Sequence, residues 1–312
     1  MHLAPPFVRS LLVMLLVLTI SAMLGALVWV APLLQSRRPW LPPARLRPSR
    51  WGLLTVLAVL LTYRLLAVGI STEVMSRAGP APAGAVPSFT SLMLAVTLVN
   101  AAALVVLPMV VRLLSRSSLA DMGLTLDRFG ANVKTGALAF LVVTPWVYLI
   151  FGLAQLVSRG HRHPLEEMVR REPSFAGIAL AVVSAVILAP LAEELIFRGV
   201  LQGWLDRVLL ETKNSSAVEL AELELLPHEA PPPSLDDAQT RSKGRPLWPS
   251  VVISAAIFAA MHAPEMPAPI ALFPLALVLG SLYQRTGSLV ASVTLHALFN
   301  AFSTLMLLIA VA

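Results

Sequence analysis

Cysteine is absent from this chain, and charge is scarce: only 13% of its 312 residues are Asp, Glu, Lys or Arg. Without a thiol there is no disulfide framework, no thiolate metal site and no cysteine nucleophile. The low charge stands against 57% hydrophobic residues and a mean hydropathy of +0.80, which excludes an ordinary soluble domain. Internal repeats are lacking too. A net charge of +6 is the one feature that points towards nucleic acid. Its distribution removes that reading, because the arginines cluster in short loops between apolar runs, as they do in membrane proteins. No nucleic-acid partner is expected; the lipid bilayer is.

What the chain does have is apolar runs. They cover Ser10 to Leu34, Trp51 to Ile70, Phe89 to Val111, Ala131 to Val157, Phe175 to Leu191, Trp248 to His262, Ile270 to Tyr283 and Leu289 to Val311. The first exceeds the roughly 7–15 apolar residues of a signal peptide and is followed by more runs, so it reads as a span. The expected fold is an all-α integral membrane protein of about eight transmembrane helices with one soluble insert. Residues 1–134 are expected to supply N-terminal transmembrane helices without site motifs, and 135–312 a catalytic membrane core. Residues 211–247, polar and carrying Pro231-Pro232-Pro233, interrupt that core as a flexible cytoplasmic insert. Arg64 is expected near a helix end, where it can snorkel, and Pro145 at a kink. With the N-terminus outside, inner segments hold 15 Lys and Arg against six in outer ones, Arg64 and Arg198 being intramembrane. That bias favours N-out and C-out, and the Arg-, Ala- and Pro-rich composition suggests a bacterial inner membrane.

The polar residues inside the apolar runs carry the chemistry. Ala189 to Arg198 places Glu193, Glu194 and Arg198 at the end of the fifth run. An ionisable group at the centre of a bilayer costs about 2.5–3.5 kcal/mol on insertion scales, so it needs a partner or a task. Glu194 and Arg198 are four apart and face each other on a helix. Glu193 points about 100° away and is left without that partner. Gly199 and Gly203 form a small-xxx-small pair suited to close approach of another helix. Later, His262 follows Phe258 by one turn, and His296 and Asn300 share a helix face. A lone histidine on an apolar helix is more often a hydrogen-bonded structural residue. Here two of only six histidines lie in late membrane runs beside an unpaired carboxylate, and the set is read as one site. His161 and His163 are read as part of a solvated loop rather than as metal ligands.

A buried glutamate can take a proton from water as general base, and a histidine can hold that water. A second histidine and an amide can donate hydrogen bonds to a developing oxyanion. Together these hydrolyse an acyl bond, most plausibly a peptide bond in or beside the membrane. The alternative use of the same residues is zinc held by Glu193, His262 and His296. A metal-free site is favoured, since Asn300 sits one turn from His296 and amides are rare zinc ligands.

Glu193-Glu194-x-x-x-Arg198, Phe258-x-x-x-His262 and His296-x-x-x-Asn300, in this order on late membrane helices, resemble the three motifs of the CPBP family. That family contains the CAAX prenyl endopeptidases and the bacteriocin-processing and self-immunity proteins. The resemblance covers roughly residues 136 to 309. It implies an intramembrane endopeptidase acting on a membrane-associated peptide or protein. Glu193 and His262 would activate water, His296 and Asn300 would stabilise the oxyanion, and Glu194, Arg198 and Phe258 would support the site. Two other classes stay open: a non-catalytic membrane immunity or scaffold protein, and a proton-coupled transporter.

Overall fold

A computed structural model describes residues 6–35, 49–78, 87–158, 169–170, 174–212 and 247–311. Residues 213–246, nearly all of the expected insert, lie outside the described residues, as do His161 and His163. The described residues fold into eight main helices, joined by a short 3-10 turn at Ala263–Glu265 among others, with no strand among them. These are α1 (Pro6–Gln35), α2 (Leu53–Arg77), α3 (Phe89–Ser115), α4 (Phe129–Ser158), α5 (Phe175–Thr212), α6 (Trp248–Met261), α7 (Ala268–Thr286) and α8 (Leu289–Val311). Helices α2, α3, α4, α5, α7 and α8 are long and apolar enough to cross a membrane. Their outward faces carry side chains such as Leu54, Leu113 and Leu156, 76%, 79% and 80% exposed. A continuous band of this kind needs a lipid partner. The protein is an all-α integral membrane protein.

Local chemistry sets the helix ends. Ser88 and Ser174 cap α3 and α5, each accepting a bond from a first-turn amide, Ser91 N–H at 3.1 Å and Gly177 N–H at 3.2 Å. Such caps satisfy amides that have no partner within the helix. Helix α2 runs on to Arg77, so Arg64 sits in mid-helix with an exposed side chain rather than near an end. At 14 residues, α6 is about 21 Å long and falls short of the roughly 30 Å hydrocarbon layer. It forms a hairpin with α7 that returns the chain to the side it left: Leu247 N–H, just before α6, bonds Gln284 Oε1 near the end of α7 at 3.0 Å.

Helix α5 is not a regular α-helix. Residues Ser184–Leu188 and Leu195–Gln202 take the wider π-helical turn, in which each carbonyl looks five residues ahead. In that register Ala189 N–H reaches Ser184 O. The next donor, due to Ala185 O, would be Pro190 N–H, which proline lacks. Side chains from elsewhere in the fold serve carbonyls of these stretches. Asn300 Nδ2 donates to Ala185 O (2.8 Å), Ser254 Oγ to Phe197 O (3.0 Å) and Trp51 Nε1 to Val200 O (2.9 Å).

One buried polar clamp fixes the register of three helices. Asp206 on α5 accepts bonds from Ser250 Oγ on α6 and from Gln284 Nε2 on α7, the latter at 2.6 Å. All three side chains are buried. From this level α5 and α6 run antiparallel, so the twelve residues back to Glu194 and the twelve forward to His262 each span about 18 Å. Glycines set the close contacts. A Cβ on Gly199 would come within 2.8 Å of Met122 O, so the surface admitted there is the stretch joining α3 and α4, not the helix expected. On α4, a Cβ at Gly136 would clash with Ala291 O and come within 2.7 Å of Thr294 Cβ on α8. Gly136→Ala is therefore expected to lower the unfolding temperature, at about 1–3 kcal/mol for overpacking. Gly152→Ala on the same helix, with nothing within 4 Å, should not, as thermal unfolding of the two purified variants in detergent will test.

Candidate active site

Helix α5 delivers the acidic pair in two different environments. Glu194 and Arg198 are completely buried and pair at 3.2 Å (Oε1 to Nη1), the i,i+4 match that the spacing predicts. Arg198 also donates from Nη2 to Ala276 O at 3.4 Å, and its guanidinium lies 4.6 Å from the centre of the Phe258 ring. A desolvated cation over an aromatic face is stabilised by the ring quadrupole. Glu193 turns away from that pair, as expected, but it is not without a neighbour. Its carboxylate stands 3.7 Å from His296 Nε2 and is 27% exposed.

Helix α8 brings His296 between the two glutamates. Its Nδ1 lies 2.9 Å from Glu194 Oε1. A carboxylate that pairs with a guanidinium only accepts, so Nδ1 carries the proton and donates it. That bond orients the ring and leaves Nε2 facing Glu193, the arrangement by which a buried acid aims a working histidine. Asn300, one turn on, commits one N–H to Ala185 O. Its other amide hydrogen remains available.

Helix α6 supplies Phe258 and His262. Phe258 is a platform with four neighbours: Phe197 at 5.1 Å, His262 at 4.9 Å and His296 at 5.9 Å between ring centres, with Arg198 above it. His262 caps the end of α6, with Nδ1 2.9 Å from Phe258 O. A carbonyl cannot donate, so the proton sits on Nδ1, and Nε2 is left as an acceptor. Depth counted from the start of α6 alone puts His262 too deep to meet Glu193. The clamp through Asp206 places Phe258 beside Arg198 and His262 level with Glu194.

The structure thus gathers Glu193, Glu194, Arg198, Phe258, His262, His296 and Asn300 around one end of the α6–α7 hairpin. It does not gather a metal site. Among the described residues no three His, Asp or Glu side chains are grouped to hold an ion. Glu193 and His296 approach each other at 3.7 Å. Sequence reasoning missed Asp206, Ser250 and Gln284, which set the register, and Tyr63 and Asn100. Asn100 Nδ2 donates to Ser184 Oγ on α5 (3.3 Å), and Tyr63 O–H to Asn100 Oδ1 (3.5 Å). Ser250, Tyr63 and Asn100 are polar residues inside apolar runs, which is the signal that would have flagged them.

The family model for type II CAAX prenyl endopeptidase Rce1-like proteins matches residues 175–302. That span contains all three motifs and agrees with the family resemblance read from them. No curated protein and no solved structure matches the chain.

The buried pair generates a stability prediction. Glu194→Gln leaves Arg198 charged in an apolar setting and turns the charged acceptor it shares with His296 into a neutral amide oxygen. Loss of one partner from a buried pair costs about 3–5 kcal/mol, so the variant should accumulate poorly in membranes and unfold at lower temperature. Immunoblotting and thermal unfolding in detergent, beside the wild type, will check this.

Proposed function

We propose that this chain is an intramembrane endopeptidase that hydrolyses a peptide bond of a membrane-associated peptide or protein with water activated by Glu193. The observation that carries the reading is the half-open Glu193 carboxylate 3.7 Å from His296 Nε2, with His296 anchored from behind by the buried Glu194–Arg198 pair. The match to a family of CAAX-type proteases over residues 175–302 supports the same class of reaction. The matched family's description names prenyl endopeptidases; the proposal for this chain requires only a membrane-associated substrate. Residues 135–312 form the proposed catalytic core, and residues 1–134 the accompanying helices. A bacterial inner membrane with both termini outside is the proposed setting.

In this reading a water bridges Glu193 and His262. Glu193 takes one proton, as general base, while His262 Nε2 accepts a hydrogen bond from the other. The oxygen attacks the carbonyl carbon, and the carbonyl π pair moves onto oxygen. The free amide hydrogen of Asn300 donates to that oxyanion, with His296 beside it. Collapse re-forms the carbonyl and breaks the C–N bond, and Glu193 returns its proton to the leaving nitrogen. Arg198 stays paired throughout and takes no part in proton transfer.

Comparison of protein termini in membranes from cells making the wild type or Glu193→Gln tests the assignment. Glu193 lies outside the Arg198 pair and is partly exposed, so the variant should accumulate normally. Cleavage should fall by about 100-fold or more for loss of a general base. Identical termini in the two samples would favour the scaffold or immunity reading. Poor accumulation of Glu193→Gln, matching that of Glu194→Gln, would contradict the division of roles.

A further inference from the structure

Asn300 serves the proposed reaction only if its amide is turned the right way. An amide presents a donating nitrogen on one side and an accepting oxygen on the other. Turned over, Asn300 would set Oδ1 against the oxyanion and repel it. Its sense is fixed by Ala185 O, which can only accept and takes one hydrogen from Asn300 Nδ2 at 2.8 Å. The second hydrogen on that nitrogen is the one left for the oxyanion. Ala185 lies eight residues before Glu193 on α5, so one helix carries both the base and the anchor of the oxyanion donor.

A carbonyl in the middle of an α-helix is ordinarily taken by the backbone N–H four residues on. Ala185 O is spared by two features of the chain. Ala189 N–H, its α-helical partner, goes instead to Ser184 O in the π turn over Ser184–Leu188. Pro190, the partner in the π register, has no N–H to give. Pro190 also accounts for the turn itself. In a regular α-helix its ring would press on the carbonyl four residues back, Val186 O, and the wider turn ending at Leu188 relieves that contact. Ser184, where the turn begins, is held from α3 by Asn100 Nδ2 at 3.3 Å, and Pro190 is buried.

We propose that Pro190 is a positioning residue: by withholding a backbone hydrogen from Ala185 O, it leaves that carbonyl to orient Asn300 as an oxyanion donor. This deepens the hydrolase reading above and rests on it. Pro190 touches no reacting atom. Its effect passes through Ala185 O to the Asn300 amide, and from there to the charge that develops when water attacks the substrate carbonyl. The role is opposite in sign to an ordinary structural one, because a proline inside a helix disfavours that helix. A residue kept for stability would not be this one.

The test uses the full chain in phosphatidylethanolamine–phosphatidylglycerol vesicles. The substrate is an internally quenched synthetic peptide copied from a Glu193-dependent cleavage site found in the terminal comparison. Pro190→Ala restores the missing N–H. The expected result is a fall in kcat of about 100-fold, the scale of a lost oxyanion donor, with KM within about twofold and an unfolding temperature equal to or above that of the wild type. Asn300→Ala should show a similar fall. The double variant should fall no further than Asn300→Ala alone, since both changes remove one interaction. An unchanged kcat in either single variant overturns the proposal, and so do falls that multiply in the double variant. A fall in Pro190→Ala accompanied by a lower unfolding temperature also overturns it, by making the proline a packing residue. If the wild type shows no Glu193-dependent cleavage, the hydrolase reading itself fails and this proposal falls with it; cleavage that Pro190→Ala leaves intact sinks this proposal alone.

Discussion

A single buried carboxylate organises this protein. Glu194 has no access to water, yet one of its oxygens serves both Arg198 on its own helix and His296 on α8. A charge in this position is tolerated only when paired and hydrogen-bonded. The pairing therefore ties α5 to α8, while Arg198, through Phe258 and Ala276 O, ties α5 to α6 and α7. Glu193, His262, His296 and Asn300 all lie on those elements. What looks at first like a doubled acid is a division of labour: one glutamate holds the architecture, and its neighbour, turned by one residue, faces the open side.

That arrangement works only if the helices are in register along the membrane normal, and apolar packing alone does not set register sharply. Polar groups do. Asp206, Ser250 and Gln284 lock α5, α6 and α7 at one level, and the equal helical distances from there bring Arg198 to Phe258. The π-helical stretches of α5 add a second form of specificity. Their carbonyls need donors from outside the helix, and Trp51, Ser254 and Asn300 supply them from α6, α8 and the residues preceding α2. In a bilayer an unsatisfied carbonyl is costly, so each such bond fixes one partner.

The legible part of this molecule was what a single helix can express. Apolar runs gave the helices, and i,i+4 spacing gave the Glu194–Arg198 pair and the exclusion of Glu193 from it. Three motifs in order gave the family that matches residues 175–302. Relations between helices were not legible. The depth of His262 depends on where α6 meets α5, and the start of an apolar run does not reveal that. The bond from Asn300 to Ala185 O depends on a π-helical register made consequential by Pro190. Gly199 was recognisable as a site of close approach, but the sequence gave no sign that its neighbour is the connection between α3 and α4. Tyr63 and Asn100 were overlooked because they lie in runs without a motif, although a polar side chain within an apolar helix is itself a signal.

The central claim is that Glu193 acts as a base on water and does not itself attack the substrate. A single turnover by the reconstituted protein in water enriched in oxygen-18, followed by mass spectrometry of product and protein, tests it directly. The account predicts one labelled oxygen in the new carboxyl terminus of the cleaved peptide and none in the Glu193 side chain. Label in the Glu193 carboxylate would reveal a covalent acyl intermediate on that residue and contradict it.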